Sequence, residues 1–465
     1  MLKMERFEVP GLAHYSYMVW SGGQAAVVDP KRDFDTYVEF AKARDLKITH
    51  ILETHIHADY ASGAKELAQA TGAELWLSPY DKGEDFEVQF PHREFADGSE
   101  FQLGDVLIKS VHTPGHTPEH LSFLLHDMAR GKFPMALLSG DFLFVGSLGR
   151  PDLLGEAAKL KLAEQLYDSV YKRIVALPDG VEVHPAHGAG SMCGAGMSDR
   201  PQSTLGYERL ANQYFGMNER SKFIEHILAT VPPFPDYYRR MKRVNSDGAK
   251  TLGGIPGGTA LTAQQFRALA ESPEAIVIDL RKPDAFGAGH IPGAINIGAA
   301  PAFAMWAAWV VPYDRPILLA GDDASDLETT RRALVRVGLD DVRGYLAGGM
   351  KAWTEAGFAT AQLPQISVDE LRGRIAQGAF VLDVRTKNEW NAGHIEQAQW
   401  LMAGDLPKHV DELPRDKTIH VICGTGYRSS ISTSVLRRAG FKEVVNVTGG
   451  MSAWNKKPCA TPARL

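Results

Sequence analysis

Short apolar runs that end at Gly, Pro or Asp alternate with a few helical stretches along the first 245 residues. Apolar runs of this length between turn residues predict buried strands. They occur around Ile48 to Leu52, Val106 to Val111 and Met135 to Gly140. Residues 246–259 then combine many glycines with a proline, which cannot support a regular element, so this segment is predicted to be a linker.

Beyond the linker the chain repeats itself. Three features recur roughly 100 residues apart, namely an apolar run ending in Asp-x-Arg, a Gly-His-Ile element and a Gly-Gly-Met-x-x-Trp segment. The copies are Ile276 to Arg281, Gly289 to Ile291 and Gly348 to Trp353, then Val381 to Arg385, Gly393 to Ile395 and Gly449 to Trp454. Each copy alternates strand-like and helix-like segments, which indicates an α/β domain with a mainly parallel sheet.

A chain of 465 residues is too long for a single hydrophobic core. The patterns therefore predict an α/β multidomain protein with three domains. The predicted domains are residues 1–245, 260–362 and 363–465, with the linker at 246–259. Asp383, Arg385 and His394 are predicted to be structural, because both repeats keep them.

The composition is that of an ordinary globular protein, with 44% hydrophobic and 23% charged residues and a net charge of −6. This balance, without a basic block, argues against nucleic acid or an anionic membrane as partner. No apolar run approaches the roughly 20 residues of a membrane span, and no signal peptide is recognisable. Three cysteines suit a reducing compartment, so we expect a cytoplasmic protein.

Cys423 is placed where a thiolate would be useful. It follows the apolar run Ile419 to Ile422, which predicts a strand, and precedes Ser429 to Gly440, which predicts a helix. Backbone N–H groups at a helix N-terminus favour an anion, and with Arg428 they could also hold a persulfide. The predicted catalytic residues are Cys423 and Arg428, and the predicted substrate-binding residues are Gly424, Thr425, Gly426, Tyr427 and Ser429.

The first repeat lacks this chemistry. Matching Gly338 with Gly440 places Gly321 opposite Cys423, so the loop from Gly321 to Asp326 contains neither cysteine nor arginine. Its acidic residues would repel a thiolate. We predict that this middle domain is catalytically inactive and retained for architecture or docking.

Histidines and acidic residues follow the predicted strands of the N-terminal domain. They are His55, His57, Asp59 and Tyr60 after the first run, His116 after the second, Asp141 after the third and His187 after a further short strand. Because each group stands where a strand ends, the groups can converge at one edge of a sheet sandwich. Histidine and carboxylate ligands suit zinc or non-haem iron. His112 and His120 match no motif position and are predicted to be structural.

The C-terminal repeats resemble the rhodanese (sulfurtransferase) family in their Asp-x-Arg, Gly-His-Ile, active-loop and Gly-Gly-Met-x-x-Trp segments. The resemblance implies two tandem α/β rhodanese domains, with a cysteine persulfide carried on the six-residue loop from Cys423 to Arg428. A buried inert cysteine is the alternative, but packing gives no reason for the glycines and the arginine of this loop.

The N-terminal part resembles the metallo-β-lactamase superfamily, which implies an αββα sandwich. The superfamily pattern His-x-His-x-Asp-His ends here in Tyr60, at a position that supplies a ligand to the second metal of two-zinc members. A single metal on His55, His116 and Asp141 keeps all of its ligands despite Tyr60. These ligands match the facial triad of non-haem Fe(II) oxygenases. The resemblance thus implies one Fe(II) per chain, with supporting groups that orient the ligands or position O2: His57, Asp59, Tyr60 and His187.

Within the superfamily the resemblance is to persulfide dioxygenases, carried by Pro114 to Thr117, Gly140-Asp141 and Gly149 to Asp152. These enzymes use one iron and O2 to oxidise a thiol persulfide to sulfite. The resemblance implies that Arg150 holds a carboxylate of the thiol carrier, although a structural salt bridge is an alternative. Fusion to two rhodanese-like domains resembles bacterial dioxygenase–sulfurtransferase fusion proteins.

The resemblance implies a sulfide-detoxifying enzyme in which Cys423 passes sulfur to sulfite, giving thiosulfate, or runs in reverse. Expected partners are sulfite, thiosulfate and a persulfide of glutathione, coenzyme A or a similar thiol, and we expect a homo-oligomer. Cys193, six positions after His187, is either a sulfur relay or a packed small residue. Cys459 is predicted to be an incidental exposed thiol.

Two alternatives to this function are kept. The first is a two-zinc thioester hydrolase of the glyoxalase II kind with a sulfur-carrying rhodanese tail. The second is a non-catalytic sulfur carrier in which only Cys423 matters, so that His55→Ala would leave its function intact.

Overall fold

The computed structural model describes residues 1–231, 234–322 and 324–456, so Asp323 and Cys459 lie outside the described residues. The chain divides into two units. The first contains residues 1–253 with 335–338, and the second contains residues 254–334 with 339–465.

Two six-stranded sheets form the frame of the first unit. The first sheet has the order β1-β2-β3-β4-β5-β6, with β1 (Lys3–Val9), β2 (His14–Ser21), β3 (Gln24–Val28), β4 (Lys47–Leu52), β5 (Glu74–Leu77) and β6 (Arg93–Glu94). The second has the order β14-β13-β10-β9-β8-β7, with β7 (Glu100–Leu103), β8 (Val106–His112), β9 (Leu121–Asp127), β10 (Pro134–Gly140), β13 (Glu182–Pro185) and β14 (Ser203–Thr204). A small hairpin adds β11 (Leu143–Phe144) and β12 (Ser147–Leu148).

Alternating apolar residues place the main core of this unit between the two sheets. Tyr17 and Val28 of the first sheet pack in one cluster with Phe123 and Leu125 of the second. Helices cover the outer faces and extend the domain: α1 (Asp35–Lys42), α2 (Ala64–Thr71), α3 (Glu156–Asp168), α4 (Leu205–Ala211), α5 (Arg220–Thr230) and α6 (Tyr237–Asp247). This arrangement confirms the predicted αββα sandwich. Helix α6 continues two residues into the segment predicted as linker.

The second unit contains two copies of one parallel fold. The first sheet has the order β15-β19-β18-β16-β17, with β15 (Ala260–Leu261), β16 (Ile276–Asp279), β17 (Ile295–Asn296), β18 (Ile317–Ala320) and β19 (Val342–Leu346). The second has the order β20-β24-β23-β21-β22, with β20 (Gln365–Ile366), β21 (Phe380–Asp383), β22 (Ala398–Trp400), β23 (Ile419–Ile422) and β24 (Val444–Val447). The shared strand order confirms that the sequence repeat is a structural one.

Helices connect these parallel strands in both copies. They are α7 (Ala263–Ala270), α8 (Pro283–Ala288), α9 (Phe303–Val310), α10 (Ala324–Arg336) and α11 (Gly349–Glu355), then α12 (Val368–Ile375), α13 (Lys387–Asn391), α14 (Leu406–His409), α15 (Tyr427–Arg438) and α16 (Gly450–Trp454). None of the helices that the structure describes has the length and apolar character needed to cross a membrane.

Helix α15 begins earlier than the sequence predicted. The prediction began at Ser429, whereas the helix begins at Tyr427, after Gly426 with φ 108°. Gly426 takes the left-handed turn, so the next two residues of the cysteine loop already belong to the first helical turn. Arg428 is therefore fixed by helical backbone rather than by a free loop.

Candidate functional site

Three predicted ligands converge at one edge of the sandwich in the first unit. His55 follows β4, His116 follows β8 and Asp141 follows β10, and all three are buried. His55 Nε2 lies 3.7 Å and His116 Nε2 lies 3.5 Å from Asp141 Oδ2. One ligand atom from each residue lies within 4.8 Å of the other two, so the three side chains could hold a metal ion.

The polar atoms of this cluster fit a metal. His116 Nε2 and Asp141 Oδ2 are buried without a hydrogen-bond partner among the described residues. Buried polar atoms are normally paired, so these two facing atoms are suitably placed to bind a cation. Two imidazole nitrogens and one carboxylate oxygen form a donor set that suits zinc or non-haem iron.

Hydrogen bonds fix the orientation of both histidines. The His116 Nδ1–H donates to the carbonyl of Arg150 at 2.9 Å. The His55 Nδ1–H donates to Thr54 Oγ1 at 2.9 Å, and that hydroxyl donates to Asp29 Oδ2 at 2.9 Å. Each Nε2 lone pair therefore faces the ligand cluster. Burial lowers the pKa of His116 to about 4, which keeps the neutral form that binds metals.

His187 links two carboxylates of the site. Its Nδ1 lies 2.7 Å from Asp141 Oδ1, and its Nε2 lies 2.7 Å from Asp59 Oδ2. Burial opposes protonation, but Asp141 and Asp59 together raise the pKa of His187 well above its ordinary value. The imidazolium can donate to both carboxylates at once. This geometry suits the predicted role of His187 in orienting a ligand.

His57 and Tyr60 lie behind the ligand cluster rather than in it. His57 Nε2 lies 3.1 Å from Asp29 Oδ1 and 3.4 Å from Glu53 Oε2, and the Tyr60 hydroxyl donates to the carbonyl of Asp29 at 3.2 Å. Burial raises the pKa of Glu53 to about 8. Asp29 was missed in the sequence, although it stands at the end of the apolar run that forms β3.

His120 also supports the site, although the sequence predicted only a structural role. The backbone N–H of Asp141 donates to His120 Nε2 at 3.0 Å, and His120 Nδ1 lies 2.9 Å from Thr113 Oγ1. His120 thereby positions the backbone of a ligand residue. Its place directly before β9 was the one available indication in the sequence.

Cys193 lies in the same pocket, as its spacing from His187 suggested. Ligand atoms of Cys193, Asp59 and His187 lie within 4.8 Å of one another. Burial raises the pKa of the Cys193 thiol well above its ordinary value, and Asp59 and Asp141 add to this effect. A protonated thiol is a weak nucleophile, so its role as a sulfur relay stays a prediction.

Arg150 is buried and engaged by the protein itself. Its guanidinium makes two hydrogen bonds to Asp152, at 2.7 and 2.8 Å, and one to the carbonyl of Met192 at 3.0 Å. It also lies 5.0 Å from the ring centroid of Phe234. These contacts correspond to the structural salt bridge that is the alternative role of Arg150. Its contact with a carboxylate of the thiol carrier stays a prediction.

The cysteine loop of the second unit surrounds the sulfur with donors. Cys423 is fully buried between β23 and α15. The Gly426 N–H donates to Cys423 Sγ at 3.1 Å, and Ser429 Oγ lies 3.4 Å from the same sulfur. Thr425, Gly426 and Tyr427 line a neighbouring cavity of about 300 Å³ together with residues 282–284 of the middle repeat. The middle repeat thus borders the loop, and its role in architecture or docking stays a prediction.

Backbone hydrogen bonds join the Gly-Gly-Met segment to the cysteine loop. The N–H of Met451 donates to the carbonyl of Cys423 at 2.7 Å, and that of Ser452 donates to the carbonyl of Gly424 at 2.9 Å. Gly450 has φ 53°, and a Cβ there would lie 2.3 Å from the Cys423 carbonyl oxygen. Glycine is therefore required by both conformation and space.

A residue that the sequence analysis missed holds Arg428. Both terminal nitrogens of Arg428 donate to Glu389, each at 2.6 Å. These hydrogen bonds lower the pKa of Glu389 from 4.5 to about 2. The pair therefore contributes to stability above about pH 4.5 and is lost as the pH falls towards 2. In the middle repeat, Ala285 and Asp326 occupy the two corresponding positions, so both partners are absent.

Replacing Glu389 by Gln is expected to lower kcat/KM for sulfur transfer by about tenfold, or about 1.4 kcal/mol. The amide cannot hold the guanidinium in a charged, two-point contact. A matched control is Glu370→Gln, since Glu370 also closes a capping box in this repeat, with Ser367. Equal sulfur-transfer rates for the two variants would show that the pair does not shape the loop.

Comparison with known proteins agrees with this architecture. The model of the metallo-beta-lactamase superfamily matches residues 9–187, and that of the rhodanese-like domain matches residues 262–356 and 367–457. The crystal structure of a metallo-beta-lactamase from Staphylococcus aureus subsp. aureus COL is 34% identical with a TM-score of 0.67, covering 74% of this chain and 98% of that one. The chain belongs to the metallo-beta-lactamase superfamily and carries two rhodanese-like domains after its metallo-beta-lactamase domain.

Other relatives are similar over the first unit. Hydroxyacylglutathione hydrolase from Francisella philomiragia is 34% identical over 176 residues, which are 38% of this chain. The chain spans 63% of the length of that hydrolase. The structure of ETHE1 from Myxococcus xanthus is 24% identical with a TM-score of 0.45, covering 52% of this chain and 98% of that one, a similarity too low to bear on function.

Proposed function

We propose that the first unit oxidises a low-molecular-weight thiol persulfide to sulfite with O2, and that Cys423 transfers sulfur between a persulfide and sulfite. The oxidation is RSSH + O2 + H2O → RSH + H2SO3, in which the terminal sulfur is oxidised and O2 is reduced. The sulfite formed then becomes an acceptor for the sulfur on Cys423.

A metal held by His55, His116 and Asp141 would supply the redox chemistry between the sulfur and O2. The protein contributes the orientation of the ligands. Hydrogen bonds from the Nδ1–H groups of both histidines keep their Nε2 lone pairs on the site. His187 does the same for Asp141, because it holds Oδ1 and leaves Oδ2 for the metal.

The observation that carries this proposal is the double engagement of His187. With one ring nitrogen on Asp141 and the other on Asp59, His187 offers no free nitrogen to a second metal. Tyr60, at the position of the missing ligand, donates to a backbone carbonyl instead. One metal with two histidines and one carboxylate is typical of iron oxygenases. A rhodanese-like domain in the same chain supports the proposal, because it would act on the same kind of sulfur compound as a persulfide dioxygenase.

For the second step, sulfite attacks the terminal sulfur of a Cys423 persulfide. The S–S bond breaks, its electron pair returns to Cys423 Sγ, and thiosulfate leaves. The Gly426 N–H and the Ser429 hydroxyl can stabilise the thiolate, since both lie within hydrogen-bond distance of Sγ. Arg428, held by Glu389, places a positive charge at the loop for the incoming anion.

A thioester hydrolase is the second candidate. Asp59, His187 and Cys193 could hold another metal if the hydrogen bonds of His187 were broken, and a hydroxyacylglutathione hydrolase is 34% identical over 176 residues. This alternative requires two metals per chain and hydrolysis of a hydroxyacylglutathione without O2.

Parallel assays separate the two candidates. Iron-loaded and zinc-loaded full-length protein would be tested for O2 uptake with glutathione and coenzyme A persulfides and for hydrolysis of a hydroxyacylglutathione, with His55→Ala as control. We expect one metal per chain and O2 uptake that His55→Ala abolishes. Two zinc ions with thioester hydrolysis and no O2 uptake would replace the proposal by the hydrolase.

A further inference from the structure

Lys242 is a buried lysine that contacts the residue after His55 in the chain. It lies on the buried face of α6 with Tyr238, Met241 and Asn245, and only 2% of it is exposed. A buried ammonium group is costly unless a partner compensates for its lost hydration. Burial of the Lys242 ammonium group therefore destabilises the folded protein unless an acceptor or an anion contacts it.

The protein supplies little of that compensation. Among the described residues, the Nζ of Lys242 donates one hydrogen bond, to the carbonyl of Ile56 at 2.9 Å. No carboxylate oxygen of the described residues lies within 4.0 Å of it. The ring centroid of Phe86 lies 5.7 Å away. Since an ammonium has three N–H donors, two of them have no acceptor among the residues that the structure describes.

This ammonium group contacts the loop that carries His55 and His57. Its acceptor, Ile56, is the residue after His55 in the chain. The N–H of Ile56 itself donates to Glu119 Oε1 at 2.9 Å, and Asn245 on the same face of α6 donates to the carbonyl of His57. Lys242 thus lies on the helix face that packs against the loop carrying His55 and His57.

Anchoring of α6 does not require this charge. Asn245, one helical turn later, donates to the carbonyls of His57 and Tyr60 at 2.9 and 2.8 Å and accepts from the N–H of Ser62 at 2.8 Å. The neutral side chain of Asn245 therefore already joins α6 to the segment from His57 to Ser62. A neutral amide in place of Lys242 could also donate to Ile56.

We propose that Lys242 binds the anionic end of the substrate and of the oxyanion product next to the metal site. The ligand class is a small sulfur anion, namely a terminal persulfide sulfur or sulfite, held by charge-assisted N–H donors. This inference rests on the proposed function, which supplies both anions.

The test measures sulfite binding by titration calorimetry to zinc-loaded full-length protein carrying Cys423→Ser and Arg428→Gln. These changes remove sulfur transfer and the positive charge of the second sulfur site, so that sulfite binding at the first unit is measured. Lys242→Met and Lys242→Gln are expected to weaken sulfite binding at least about tenfold, and Lys242→Arg by less than about threefold. Lys65→Met is the matched control, because Lys65 Nζ contacts the carbonyl of Gly248 just after α6. It should bind sulfite like the parent.

Iron-loaded Lys242→Gln should also show a raised KM for the persulfide with little change in kcat. Lys242→Gln keeps a donor for Ile56, so it remains informative if Lys242→Met fails to fold or loses metal. Equal sulfite affinity in the parent and Lys242→Gln, or no sulfite binding by the parent, would overturn the inference. Lys242-dependent sulfite binding without any O2 uptake would instead refute the proposed dioxygenase and leave the anion site in place.

Discussion

Asp141→Asn is expected to remove the metal from the first unit and to lower O2 uptake with a persulfide by about a thousandfold or more. Asp141 Oδ2 is the atom that faces both histidine nitrogens, and Oδ1 accepts from His187. An amide is a much weaker ligand than a carboxylate, and it cannot neutralise the His187 imidazolium. Metal content per chain and the rate in an oxygen electrode would measure both effects.

The matched control for this variant is Asp127→Asn. Asp127 is a buried aspartate at the end of the neighbouring strand β9, where it accepts from the N–H of Leu2 at 3.1 Å. The Asp127→Asn variant should retain its metal and O2 uptake. Sulfur transfer by Cys423 should persist in both variants. Full metal content and full O2 uptake in Asp141→Asn would contradict the assignment of the ligand.

Cys423→Ser is expected to lower thiosulfate formation by about three orders of magnitude. A serine hydroxyl cannot carry a sulfane sulfur, even though the donors of Gly426 and Ser429 remain in place. O2 uptake should be unchanged, because the proposed metal ligands belong to the other unit. Sulfite should then accumulate where the parent protein produces thiosulfate.

Cys459→Ser serves as the control, since Cys459 is predicted to be incidental and lies outside the described residues. It should form thiosulfate at the parent rate. If Cys423→Ser formed thiosulfate at that rate as well, the proposed role of the loop would be wrong. If it lost O2 uptake while retaining its metal, the two activities would be more closely linked than we propose.

Much of the fold was predictable because apolar runs ended at chemically distinctive residues. His55, His116 and Asp141 each follow a strand, and strand ends of a sandwich meet at a common edge. The repeat was visible because glycine has a strict role at positions such as Gly450, where any side chain would collide with the Cys423 carbonyl. Residues fixed by local backbone geometry leave a strong trace in the sequence.

The residues that escaped prediction act over long distances along the chain. Glu389 forms a local capping box with Thr386, which conceals its contact with Arg428, 39 positions away. Lys242 stands among Arg239, Arg240 and Arg243, which is typical of a solvated helix face, and only the packing of α6 shows that it is buried. Such roles depend on tertiary packing, which local patterns do not record.

The most direct test of the central claim is the ratio of O2 consumed to sulfite formed by iron-loaded Cys423→Ser protein supplied with glutathione persulfide. Without sulfur transfer from Cys423, sulfite is not converted to thiosulfate and accumulates. The proposed reaction predicts one sulfite and one glutathione for each O2. No O2 uptake with glutathione or coenzyme A persulfide, in protein that contains its full complement of iron, would contradict the account.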